Sequence, residues 1–225
     1  MLPDYTAIKL LGIAGVLSYA TARLATKAGV IGYSRYTLVA VPLDGMPKMP
    51  RGFRVEPITL EALSRYQIDA SREEQARRFA QGLTCLAAYN ARNEFVGVTW
   101  VGTGPFDESM VHLRFVVPET AIWDTGLWIH PDHRLGRAFA ALWAGTAEWM
   151  QARGRIWSMS WIADYNLPSL LSHRRMRSAT VGHITTVRFF RWQYMADGVP
   201  KFVRIDQGAP AEMHMPLPAT SLALA

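Results

Sequence analysis

Two short segments hold the residues whose types and spacing could do chemistry. The first reads Leu127, Trp128, Ile129, His130, Pro131, Asp132, His133, Arg134, Leu135, Gly136, Arg137, Ala138: an apolar run breaks into a polar, glycine-containing loop and passes directly into a helix-forming stretch. A strand-loop-helix of this form points backbone N–H groups and the positive end of a helix dipole at one place, so it suits an anion. Gly136 lets the backbone approach that anion, Ala138 leaves room for it, and Arg134 and Arg137 add charge. The bland alternative is an ordinary connection. In the second segment, residues 156–177, an apolar run ends in Ala163, Asp164, Tyr165, Asn166. Ser169 and His173 follow Asn166 at i+3 and i+7, which places all three on one helical face.

Other reactive types are less well placed. Cys85, the one cysteine, lies in an apolar run, so it reads as a buried inert thiol, and it excludes an internal disulfide. A cysteine nucleophile needs a base partner that the sequence does not identify. His130 and His133 lack a carboxylate-histidine pattern, and no metal site is expected. From His173 to Arg191 there are five arginines and no acid. Arg174, Arg175 and Arg177 suit phosphate contacts or a solvated helix face. Arg188 and Arg191 interleave with Phe189, Phe190 and Trp192, which fits base stacking, a membrane girdle or a charge-protected edge strand.

Around these segments the pattern predicts a strand at 53–58, two short helices of which the second spans 72–81, and a hairpin of strands 83–89 and 94–103 about Ala91, Arg92 and Asn93. Two β-rich runs follow at 110–117 and 122–129, then a helix at 139–152 stopped by Gly154, a strand at 156–162, a helix at 167–176 and a long β stretch at 182–194. That order predicts a mixed α/β sheet. Residues 43–52, rich in proline and glycine, read as a linker, so the expected division is an N-terminal segment at 1–42, a domain at 53–207 and a loose tail at 208–225.

The chain of 225 residues is half hydrophobic and 19% charged, which excludes global disorder, and 24 Lys+Arg against 18 Asp+Glu give +6. The excess favours an anionic partner: nucleic acid, an anionic membrane face or a phosphorylated cofactor. Residues 7–31 are the most apolar stretch, but their charge-free run is too short to span a bilayer. On a helical wheel Lys9, Arg23 and Lys27 gather beside a face of Leu10, Ile13, Leu17, Leu24 and Ile31, the pattern of an amphipathic helix in a membrane interface. A helix packed on the protein's own core or on a second copy, and a signal peptide cut near Ala20, Thr21 and Ala22, remain alternatives.

The two chemical segments together resemble the GNAT superfamily of acyl-CoA N-acyltransferases. In that family a loop of the form Arg/Gln-x-x-Gly-x-Gly/Ala holds the CoA pyrophosphate, and the next strand and helix carry an Asn followed seven residues on by a Tyr. Here Gly136, Ala138 and Asn166 match and Ser169 stands where a small residue is common. His133 replaces the Arg or Gln, His173 replaces the Tyr, and Arg177 and Ser178 replace a common Gly-Phe. The resemblance covers residues 53–194. It implies a largely antiparallel mixed sheet flanked by helices, with two neighbouring parallel strands splayed around an acyl-CoA, acetyl or longer.

By the same resemblance, backbone N–H groups of Leu127, Trp128 and Ile129 polarise the thioester carbonyl, and residues 133–138 with Asn166 and Ser169 hold the cofactor. A deprotonated amine attacks directly in a ternary complex. His173 takes the position of the family's acid, Asp124 resembles in placement the carboxylate that some members use as base, and Asn166, the matching Asn, is counted with them. The acceptor is expected to be a small or lipid-like primary amine, or an envelope precursor, used in the cytoplasm or at the inner face of a membrane. Two other readings stay open: an acyl-CoA-binding protein without turnover, and an acetyltransferase of a protein or RNA-associated target. Nucleic acid itself ranks below the cofactor and the membrane, and a homodimer is left open.

Overall fold

The computed structural model describes residues 5–28, 31–134 and 136–218, with side chains described for 12–24, 32–134 and 136–218. In chain order the elements are α1 (Tyr5–Ala28), β1 (Ile31–Pro42), β2 (Arg54–Ile58), α2 (Leu60–Leu63), α3 (Arg72–Ala80), β3 (Thr84–Tyr89), β4 (Phe95–Gly102), β5 (Phe106–Asp107) and β6 (Leu113–Val116). They continue with β7 (Ala121–Ile129), α4 (Ala138–Gln151), β8 (Trp157–Ala163), α5 (Leu167–Arg175), β9 (Ala179–Phe189), β10 (Trp192–Met195), β11 (Phe202–Arg204) and β12 (Ala211–His214). The chain divides into two compact units, one of residues 41–106 and 117–160, the other of 1–40, 107–116 and 161–225.

The first unit is a sheet ordered β2-β3-β4-β7-β8, antiparallel except for the last pair. The β3–β4 hairpin closes where the sequence predicts: Asn90 Oδ1 accepts from the backbone N–H of Arg92 at 2.9 Å and of Glu94 at 3.1 Å, and Asn93 takes a left-handed φ of 63°. The helix α3 begins at Ser71, whose hydroxyl accepts from Glu74 N–H at 3.2 Å. The helix α4 lies on the sheet. Leu86, Val101, Ile122 and Met150 form one buried cluster, Ala88, Val96, Ala138 and Leu142 another, and a Cβ at Gly145 would run into Val55. Packing this close fixes the depth of α4 against the strands, and with it the height of the loop that leads in from β7.

The second unit is an antiparallel sheet ordered β1-β9-β10-β11 with a parallel β6–β12 pair. Gln193, fully buried, extends the backbone pairing by side chain: it accepts from His112 N–H at 2.9 Å and donates to His112 O at 3.0 Å. The sequence does not announce β1. Its residues fall inside the expected N-terminal segment 1–42, yet Ile31 to Ala40 pair with Phe189 to Ala179, and Leu38, Ala40 and Val41 are fully buried. The first half, Gly32 to Arg35, is polar and partly exposed and only residues 36–41 are buried, so no even alternation marks the strand, and its β9 partners lie about 140 to 160 positions later in the chain, beyond any local pattern. The expected loose tail is likewise corrected over 211–215: Ala211, Met213 and Met215 turn inward while β12 pairs with β6, because alternate apolar residues have a face to bury. The long stretch at 182–194 divides into β9 and β10 at Phe190, whose φ of 49° turns the chain.

The N-terminal helix is present, kinked at Gly12 (φ 68°, ψ 176°). It docks on its own unit through small and polar residues rather than the apolar stripe: Gly15 and Ser18 are buried, and Ser18 Oγ donates to Asp164 Oδ1 at 2.8 Å. Ile13, Leu17 and Leu24 are 81%, 62% and 68% exposed. Lys9, Leu10, Lys27 and Ile31, the other members of the predicted faces, lie outside the described side chains. Among the described residues no helix is long and apolar enough to cross a membrane.

Candidate active site

In the first unit, β7 carries the expected cofactor strand. Its parallel ladder with β8 has three pairs, Ala121 with Trp157, Ile122 with Ser158 and Trp123 with Met159, so within this unit residues 124–129 are laddered to β4 alone. A strand released on one side keeps backbone N–H and C=O groups for a ligand. The release coincides with a bulge: the β4–β7 register shifts between Val98 and Trp100, and Gly126 adopts φ 59°.

The loop after Ile129 is more internally bonded than its sequence suggests. His130 Nδ1 accepts from Asp132 N–H at 3.3 Å, His133 N–H donates to His130 O at 2.8 Å, and Gly136 N–H to His133 O at 3.0 Å. The amides of Asp132, His133 and Gly136 therefore hold the loop's shape, so these three do not join the N–H groups expected to point at an anion. The opening amides of α4, at Ala138, Phe139 and Ala140, have no acceptor within the helix. Arg137 at the N-cap makes no side-chain cap and the first turn holds no acid, so the positive end of α4 is uncompensated by its own residues. Arg134 donates to Ile129 O at 3.3 Å, and Arg137 stands 5.7 Å over the Phe53 ring, both exposed at the loop. Leu135 lies outside the described residues.

Asp124 is 6% exposed, and Ser158 Oγ donates to its Oδ2 at 2.6 Å. It pairs across to Val101 on β4. The sequence missed Arg78, which comes up from α3 against the same strand. Its Nε donates to Glu74 Oε1 at 2.8 Å, its guanidinium lies 5.3 Å over Trp100, and it occupies the space that a side chain at Gly126 would need. Arg78 Nη1 is buried without a hydrogen-bond partner. Burial alone would raise the Glu74 carboxyl, but Arg77 and Arg78 outweigh it and hold the group below its usual 4.5. No local pattern distinguishes Arg78 from Arg77, because only tertiary packing brings the bulge over it. Cys85, on β3, is fully buried, and burial pushes its thiol up to about 12.

In the second unit, α5 gathers Asn166, Ser169 and His173 as the spacing predicts. Asn166 is the N-cap, its Oδ1 accepting from Ser169 N–H at 3.4 Å. His173 is 9% exposed with Nδ1 2.8 Å from Ser169 O, so Nδ1 carries the proton in that bond. Residues 124–138 and the α5 group thus belong to different units.

No family model matches the chain, and no curated protein matches it in sequence. Solved structures do. A tandem GNAT protein from the clavulanic acid biosynthesis pathway aligns over 75% of this chain and 58% of its own at 17% identity and TM-score 0.50. A GCN5-related N-acetyltransferase from Kribbella flavida aligns over 78% and 62% at 14% identity and TM-score 0.44. A GCN5-related glucosamine N-acetyltransferase region of a fungal multi-domain GH3 β-N-acetylglucosaminidase aligns over 77% and 23% at 12% identity and TM-score 0.49. The chain spans about three fifths of the length of the first two of these. The alignment with the tandem GNAT protein shows that this chain shares its mixed α/β fold, the class read from the sequence.

Proposed function

We propose that the protein transfers an acyl group from an acyl-CoA to a primary amine by direct attack. The observation that carries this reading is the conjunction of a β7 edge released from β8 after Trp123 with an uncapped, acid-free start of α4 at Ala138. The first suits a thioester carbonyl and the second a pyrophosphate. Arg134 and Arg137 supply charge at the same loop. The orphan Nη1 of Arg78, against the bulge at Gly126, suits an oxygen of the acyl group or an anionic group of the acceptor. CoA would bring the activated thioester; the chain's own groups orient it and move protons. Asp124 is the base candidate, with Ser158 holding one carboxylate oxygen, and His173, its Nδ1–H held by Ser169 O, is the donor candidate through Nε2 in its doubly protonated form.

The acceptor or acyl chain is lipid-like in this reading, and the protein works at a membrane surface. Support comes from the exposed Ile13, Leu17 and Leu24 of α1 and from Phe189, Phe190, Trp192 and Phe202, which are 51%, 70%, 52% and 63% exposed. Arg188, Arg191 and Arg204 stand among those aromatics. The second reading, acyl-CoA binding without turnover, is favoured by the burial of Asp124 and His173 and by the use of Asn166 as a cap.

Thermal stabilisation by a series of acyl-CoA chain lengths tests the cofactor, and a shift with none would reject it. Thiol release with a panel of amines separates turnover from binding. Flotation with anionic liposomes, comparing the intact chain with Ile13→Ser, Leu17→Ser, Leu24→Ser, tests the membrane surface: equal recovery would remove α1 from it. Substitution is the right perturbation because deleting the N-terminal residues would remove the inner strand β1 as well.

A further inference from the structure

The second unit contains an open cavity of about 400 Å³, bounded by α1, β1, α5 and β9. That volume suits a small metabolite rather than a polymer. Its walls carry two guanidiniums, Arg35 and Arg174, and the imidazole of His183, against one carboxylate, Asp164. The acid is already committed: Arg35 stands 3.6 Å from Asp164 Oδ2, and Ser18 donates to Oδ1 at 2.8 Å. Burial raises the Asp164 carboxyl, and Ser18, Arg35 and His183 pull it back. Arg174 makes no ion pair among the described residues, so the cavity has an uncompensated positive charge at its α5 wall. Hydroxyls of Thr37, Ser178 and Thr180 add directional partners, and Val39, Leu167 and Leu170 add apolar area.

The cavity uses a face of α5 other than the one that carries the GNAT-like residues. Leu167, Leu170 and Arg174 line it, at i, i+3 and i+7, and Asn166, Ser169 and His173 do not. We propose that this cavity is a binding site for a small organic anion, a carboxylate or phosphate monoester on an apolar body. Arg174 meets the charge, the threonine and serine hydroxyls orient it, and the leucines take the body. A free organic cation is disfavoured because the lone carboxylate is held by Arg35 and Ser18. The site does not depend on the acyltransferase reading.

The test uses the full chain and four probes: benzoate, phenyl phosphate, the neutral benzamide, and inorganic phosphate, each titrated by calorimetry and by NMR of the His183 ring. At least one aromatic anion is expected to bind saturably and about tenfold more tightly than benzamide, the effect of one charge-assisted hydrogen bond. Benzoate against phenyl phosphate decides which anionic group is preferred, and inorganic phosphate reports how much the apolar body contributes. Arg174→Gln, at an exposed side chain with no ion-pair partner to lose, should weaken the preferred anion about tenfold while leaving the melting temperature unchanged. Arg137→Gln, in the other unit, should leave it unchanged. Equal binding of benzamide, no effect of Arg174→Gln, loss of binding with Arg137→Gln, or no saturable binding of either aromatic anion would each overturn the proposal.

Discussion

Gly126 is where backbone and packing constraints coincide, and its replacement by alanine separates them. The residue needs a left-handed φ of 59°, and the guanidinium of Arg78 occupies the place where a Cβ would go. A left-handed conformation costs a non-glycine residue about 1–2 kcal/mol. Moving Arg78 aside breaks its 2.8 Å bond to Glu74, a charge-assisted contact between side chains only 13% and 20% exposed, for about another 1.5–3 kcal/mol. Gly126→Ala is therefore expected to lose about 2.5–5 kcal/mol in urea unfolding. Gly154→Ala supplies the comparison. Gly154 has φ 65° but open space where a Cβ would stand, so only the backbone cost of about 1–2 kcal/mol applies. In a double-mutant cycle, Arg78→Ala should abolish the excess at Gly126. If Gly126→Ala and Gly154→Ala cost the same, Arg78 does not hold the bulge and the reasoning fails. Acyl transfer should fall with the bulge, since Gly126 directly precedes the amide of Leu127.

Other outcomes follow from single groups. His173→Ala should lower turnover about 100-fold while CoA affinity changes less than about twofold, measured by thiol release and calorimetry, and an unchanged rate rejects His173 as the proton donor. Cys85 should be inert to a thiol reagent in the native protein up to about pH 9 and react once unfolded in urea, because its thiol is pushed up to about 12 and fully buried; fast native labelling would contradict the packing of β3. Glu74, held below its usual 4.5, contributes stability that is present above that value and lost as pH falls through the folded one. Glu74→Gln should accordingly destabilise at pH 7 and approach wild type near pH 3, and a constant difference across that range would refute the pairing with Arg77 and Arg78.

The strand-loop-helix at 127–138 was legible because its signals are local: an apolar run, a glycine and a helix-forming stretch follow one another, and sequence order is spatial order there. The face shared by Asn166, Ser169 and His173 was legible for the same reason, since helical spacing alone fixes which residues share a side. The β3–β4 turn at Asn90–Asn93 belongs with them, its bonds running between neighbours. The loop's donors were overestimated because spacing does not tell which amides are used internally, and His130, His133 and Gly136 close on one another.

The sequence by itself thus determined the order of elements, the mixed α/β class and the positions of the loop after β7 and the helix that follows it, because hydrophobic period, glycines and caps act over a few residues. Tertiary structure decided what depends on distant segments meeting. It made residues 31–42 an inner strand by pairing them with β9, drew the tail into a sheet through β12, and set Arg78 against Gly126. It also assembled the cavity around Arg35, Asp164 and Arg174 from α1, β1, β9, α5 and the turn before α5. None of these contacts leaves a local trace, since each is fixed by which apolar faces find cover against one another.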